Sequence, residues 1–154
     1  MSLSHIICDI DAEYWCFLKN GCTPKTKEYI EGLRISKKIV NLIEGVLEFL
    51  EKQENILKSD QTVVRLRMMK HIFYLPASTE KKYPTAEKIS HCYNFIQHFS
   101  SNGSEKARST LYYIYYLSLR DDFYLAKHLM LISCIYDDIE KRDIETQILY
   151  NHAQ

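Results

Sequence analysis

Metal binding or nucleophilic attack in this chain would have to come from its five cysteines and six histidines, so the spacing of those residues is the first thing to weigh. Zinc is usually gripped by thiolates and imidazoles set on tight C-x-x-C turns. Here Cys8, Cys16 and Cys22, with His5 nearby, form no such turn. Cys8 and Cys16 sit two helical turns apart and Cys22 follows Gly21, so ordinary buried or surface thiols are expected and no metal. His5, His71, His91, His98, His128 and His152 are scattered, and none makes an H-E-x-x-H pair of ligands. His91 and His98 share one helical face and read as polar surface groups. A Cys-His nucleophile needs only a meeting in space, but nothing favours one here. There is no glycine-rich phosphate loop and no G-x-S-x-G elbow. The expectation is a non-enzyme with no catalytic, cofactor-binding or metal-binding residues and no small-molecule substrate.

Two other groupings could bind macromolecules. Basic residues cluster at Lys37-Lys38, at Arg65 and Arg67 with Lys70, and at Lys81-Lys82. Arg65, Arg67 and Lys70 form a candidate RNA-contacting edge. The competing and favoured reading is a solvated charged face balanced by nearby Glu. Tyrosine supplies 12 residues, with Tyr112, Tyr113, Tyr115 and Tyr116 crowded together. Adjacent helical residues point about 100° apart, so the four cannot all face one core. Tyr112, Tyr113 and Tyr116 are therefore candidate partner-binding residues, because tyrosine suits interfaces. A wide groove between helices, filled from within the chain, accounts for them equally well.

These residues are positioned by helices. With 4 Gly and 3 Pro, the chain has too few turn residues for an all-β fold. Asp9 to Leu18 reads as a short helix stopped at Asn20-Gly21. Thr26 to about Leu57 reads as one long helix carrying Ile39, Leu42, Ile43, Val46 and Leu47 on its apolar side. Ser59 or Asp60 caps a third helix ending before Pro76, Ala77 to Tyr83 is a loop, and Pro84 opens a helix with Ile89, Cys92, Tyr93, Ile96 and Phe99 inward. Ser104 is expected to cap a helix to about Arg120. Asp121-Asp122 breaks it and starts another to about Ile139, with Leu125, Ala126, Leu129, Met130, Ile132, Ser133 and Tyr136 inward. The last begins near Asp143 and carries Ile144, Ile148 and Leu149 as its apolar residues.

The fold class expected is all-α: antiparallel helical hairpins in a tetratricopeptide-like repeat array. The tight Arg-Asp-Asp turn followed by Phe123 and, three residues on, the small Ala126 is the best local sign of it, although the 34-residue consensus is absent. At 154 residues, 46% hydrophobic and 26% charged, the chain can fold as a single domain. Twenty Lys and Arg against twenty Asp and Glu leave no net field to draw in nucleic acid. The odd, unscaffolded cysteines fit a reducing compartment, and no apolar run approaches the roughly 20 residues of a membrane span. The helical pattern still runs at Asn151 to Gln154, so residues 1–154 read as one segment of a larger subunit.

The last third carries a resemblance. Lys106-Ala-Arg-Ser-Thr-Leu-Tyr-Tyr-Ile-Tyr-Tyr, then Ala126 to Ile139 with Leu129-Met130-Leu131 and Ser133, then Gln147-Ile148-Leu149-Tyr150-Asn151, is similar to the c-subunit family of eukaryotic translation initiation factor three. The resemblance is clearest over residues 106–151. It implies a cytoplasmic scaffold subunit of PCI architecture, its helical hairpins leading to a winged helix that this chain does not include. The implied role is assembly of the factor and its hold on the small ribosomal subunit. The implied partners are other initiation factor subunits and that ribosomal subunit, with ribosomal RNA among the contacts, but no membrane. A helical subunit of the proteasome lid or signalosome, or an RNA-binding helical module, is the alternative.

Overall fold

The structure, a computed structural model, describes residues 5–6, 8–10, 12, 38–39, 41–49, 52, 58–73 and 85–154. All regular structure among the described residues is helical. The chain divides into two compact units, residues 1–68 and 69–154. The expected stop at Asn20-Gly21, Cys16, Cys22, Lys37, Lys81, Lys82, Pro84 and the loop from Ala77 to Tyr83 lie outside the described residues.

In the first unit, residues 41–49 are helical, and Ile39, Ile43 and Leu47 are buried at four-residue intervals. That spacing puts them on one stripe, as the periodicity requires. Leu42, expected on the same apolar face, is instead exposed. Helix α1 spans Lys58–Ile72, and the boundary between the units falls within it. It begins before Ser59 and Asp60, which therefore lie in its first turn, where Asp60 still complements the positive end of the helix.

In the second unit, α2 (Thr85–Phe99) buries Ile89, Cys92 and Ile96, while Phe99 at its end is exposed beside Phe95. Helix α3 (Gly103–Leu119) is capped by Asn102 rather than Ser104. The Asn102 backbone is extended (φ −88°, ψ 116°), and its side chain accepts from the Ser104 amide at 2.9 Å. Asn is as good an N-cap as Ser, and the earlier one takes the position. Helix α3 is the hub, because α2, α4 and α6 all pack on it.

The α3–α4 connection shows why the two helices run antiparallel. The amide of Asp121 bonds the Ser118 carbonyl (3.2 Å) and that of Asp122 bonds the Leu117 carbonyl (3.0 Å), with Asp121 left-handed at φ 62°. That is a Schellman stop made with Asp instead of Gly. Asp122 immediately caps α4 (Phe123–Ile132), accepting from the Leu125 amide at 3.3 Å. Ile114 and Leu117 of α3 then meet Ala126 and Leu129 of α4, where the small Ala126 side chain permits close approach.

Two expectations are corrected beyond this point. The helix expected to reach Ile139 stops at Ile132, because Cys134 turns left-handed (φ 52°). A short α5 (Ile135–Asp138) and a 3-10 turn (Ile139–Lys141) follow, and the break swings Ile132 and Tyr136 out to solvent instead of inward. Helix α6 (Ile144–Ala153) begins where expected, but its buried residues are Thr146 and Tyr150, whereas Ile144 and Ile148 are exposed.

Candidate functional site

The tyrosine row of α3 lies largely inside the second unit. Tyr112 and Tyr116 are buried, and Tyr113 and Tyr115 are half-buried. Phe73 packs tilted against Tyr112 (4.8 Å between centroids, 42° between ring planes) and meets Tyr115 edge-on (5.2 Å). Tyr93 of α2 lies against Tyr113 at 4.8 Å, and the Arg120 guanidinium sits 4.6 Å over the Tyr116 ring. Such ring pairs add about 1 kcal/mol each beyond their buried area. The four tyrosines diverge around the helix as expected; Tyr112, Tyr113 and Tyr115 meet the chain's own aromatic rings, and Tyr116 meets Arg120.

Arg65 is 3% exposed, Arg67 and Lys70 are half-buried, and each of the three is engaged within the protein. Among the described residues no three His, Cys, Asp or Glu are placed to hold a metal ion. Cys8 is half-buried, Cys92 buried and Cys134 exposed, all as free thiols.

A cavity of about 270 Å³ opens where α2, α3 and α4 meet, with Tyr93, Gln97, Thr110 and Arg142 in its wall. Its polar groups are already used. Gln97 donates to the Lys106 carbonyl (3.0 Å), the Ser109 hydroxyl (3.0 Å) and the Thr110 hydroxyl (3.1 Å). Arg142 forks onto both oxygens of Asp138 (3.2 and 2.9 Å) and reaches the Gly103 carbonyl (2.9 Å). Burial raises the Tyr93 hydroxyl above its usual range, against a hydrogen bond with Thr110 that lowers it. With its donors satisfied internally, this wall ties helices together and leaves few groups to orient a ligand.

The second polar cluster is a clasp from α3 to the start of α6. Asp143 caps α6, accepting from the Thr146 amide (3.2 Å) and the Thr146 hydroxyl (2.7 Å). Arg108 donates from Nε to the Thr146 hydroxyl (3.2 Å) and pairs with Glu145 (3.0 Å) and with Asp143. Burial alone would raise the Asp143 carboxyl. The Thr146 and Arg108 hydrogen bonds and the Arg108 charge outweigh it and hold the carboxyl at about 2, against 3.8 for a free group. A depressed acid stabilises the fold above its unfolded value and loses that contribution as pH falls through the folded one. Solvent screens this half-exposed pair, so the contribution is about 1 kcal/mol. Asp143→Asn keeps the cap acceptor but removes the charge. Urea unfolding at pH 7 should show it about 1 kcal/mol less stable than wild type, the gap closing towards pH 2.

The clasp also fixes which side of α6 faces out. Ile144 (74% exposed) and Ile148 (53%) stand four residues apart on the side opposite Thr146 and Tyr150. Leu131 of α4 (67%) and Tyr136 of α5 (71%) are also exposed. The sequence reading names Ile144, Ile148 and Leu149 as the apolar residues of this helix and leaves out Tyr150. Tyr150, on the other side of the same short helix, is the residue that is buried.

In the second unit, then, the polar clusters join helix to helix, and several apolar side chains are exposed. By sequence comparison the chain belongs to the family described as the N-terminus of eukaryotic translation initiation factor 3 subunit 8, matched over residues 2–153. Among curated relatives, the C subunit of eukaryotic translation initiation factor 3 from Drosophila pseudoobscura pseudoobscura is 28% identical over 155 residues, covering 92% of this chain and 16% of the relative. The proteins of the same name from Culex quinquefasciatus and Bombyx mori are each 28% identical, over 94% of this chain and 17% of their own length. The chain thus spans about a sixth of the length of the relatives it matches. Among the described residues no helix is long and apolar enough to cross a membrane.

Proposed function

We propose that this chain is a non-catalytic scaffold segment of a translation initiation factor complex, acting in the cytoplasm to support assembly of the factor and its binding to the small ribosomal subunit. The family match over residues 2–153 is the observation that carries this reading. The use of the polar clusters to join helices, rather than to present reactive groups, is in keeping with it. Residues 1–154 are then one stretch of a helical array of PCI type within a larger subunit. Its partners are other subunits of the factor and the small ribosomal subunit.

The test is to purify the tagged full-length parent from its own cells, identify what comes with it, and sediment it against ribosomal subunits. Recovery of initiation factor subunits together with the small ribosomal particle is expected. Recovery of proteasome-lid or signalosome subunits instead would keep the scaffold and remove the translation role. The RNA-binding alternative rests on Arg65, Arg67 and Lys70 and is disfavoured by the burial of Arg65. It would require salt-sensitive RNA binding that disappears when the three are replaced.

A further inference from the structure

We infer that α6 is a two-position helix. The Arg108 clasp holds it with Ile144 and Ile148 outward, and release of the clasp rolls it about half a turn, burying the isoleucines and withdrawing them from the surface. This goes beyond the scaffold reading and does not depend on it. A surface helix ordinarily has one apolar side, and that side faces the core. Helix α6 has two. Leu149 and Tyr150 pack with Leu111 and Ala107, while Ile144 and Ile148 stand in solvent on the other side. Successive helical residues turn by about 100°, which sets the two sides about half a turn apart. As apolar surface the pairs are close to interchangeable, and the isoleucines carry no hydroxyl to satisfy. The Tyr150 hydroxyl accepts from Gln154 (3.0 Å), a bond that moves with α6 and does not tie it to α3.

The helix is joined to the 3-10 turn through two extended residues, Arg142 (φ −85°, ψ 164°) and Asp143 (φ −62°, ψ 155°). Backbone changes at such an element-terminal pair can absorb the rotation of a whole helix. With the two sides so nearly matched, polar bonds set the balance. Arg108 donates to the Thr146 hydroxyl (3.2 Å) and pairs with Glu145 (3.0 Å) and Asp143, and rolling carries Thr146 away from it. Gln147 adds bonds across the hinge to the Arg142 carbonyl (2.8 Å) and the Glu140 carbonyl (3.3 Å). The acidic partners of Arg108 are solvent-accessible, so salt weakens the clasp while leaving the exchange of apolar pairs unopposed. Salt, or a charged group that competes for Arg108, therefore moves the helix.

The test is methyl NMR of the full chain labelled at isoleucine and leucine, with a soluble gadolinium chelate reporting exposure. Wild type should show contact between the Tyr150 ring and the Leu111 methyls, and strong broadening at Ile144 and Ile148. Arg108→Met keeps the apolar stem and removes the charge. It should shift the ratio of the two positions about ten-fold, giving an Ile148–Leu111 contact and at least about a two-fold loss of broadening at both isoleucines. Adding Ile148→Lys to that variant should restore the Tyr150–Leu111 contact, because a lysine is not tolerated in the rolled position. A helix merely damaged by loss of Arg108 would not be rescued. Wild-type contacts and broadening in Arg108→Met would overturn the inference. So would loss of the Tyr150–Leu111 contact with no Ile148–Leu111 contact in its place, which is detachment and not rolling. Should Arg108→Met fail to fold, the wild-type chain decides: isoleucine broadening should fall between about 0.05 and 1 M salt, and constant broadening overturns the inference.

Discussion

Leu111→Ala should lower the unfolding free energy by about 3 kcal/mol, a fall in melting temperature of about 10 °C. Leu111 is fully buried at the middle of α3, in the cluster where Ala107, Ile135 and Tyr150 converge and Met130, Ile139 and Leu149 close the sides. Four elements meet on this one side chain, so none can move into the space without giving up its other contacts. The cost is therefore the lost transfer free energy plus a cavity that persists. Thermal or urea unfolding of the purified chain measures it. A loss below about 1 kcal/mol would show that the α3–α6 contact relaxes freely, which would contradict the packing described above.

The second large effect concerns Ala126, where the α3–α4 hairpin is closest. Alanine and leucine are both strong helix formers, so Ala126→Leu changes little in the helix itself. Its cost comes from forcing three more carbons against Ile114, Leu117 and Leu129 where Ala126 is 4% exposed. Overpacking of this kind costs about 2 kcal/mol. Ala126→Ser, nearly isosteric, should lose less than half of that. If leucine proves neutral, the hairpin is held by its turn and not by close approach of the helices. Melting curves of the two variants side by side distinguish these outcomes.

Both predictions draw on features that were visible in the sequence to different degrees. The tight turn, the small residue after it and the two caps at Asp122 and Asp143 were legible because each is a local event: a side chain bonding an amide two or three residues on. The stripe of Ile89, Cys92 and Ile96 was legible for the same reason, since a period of 3.6 survives wherever one face alone is buried. The break at Cys134 was not. A left-handed cysteine has no sequence signature, and Ser133-Cys134 reads as an uninterrupted helix.

The candidate surface divides in the same way. The crowding of tyrosines in α3 required that they point to several sides, and they do. Which of those sides the chain covers for itself depended on Phe73 and Tyr93, residues that no periodicity connects to α3. The rotation of α6 about its axis was equally out of reach. Two apolar pairs compete for the core, Ile144 with Ile148 and Leu149 with Tyr150, and hydrophobicity alone favours the isoleucines. Arg108 decides the matter from 35 residues away by holding Asp143 and Thr146 against α3, which turns Tyr150 inward and the isoleucines to solvent. By itself, then, the sequence determined the all-α class, the hairpin and the family, because these rest on local bonding and on residue patterns. Tertiary structure alone decided which apolar residues became core and which became surface, because that choice is made by contacts between residues far apart in the chain.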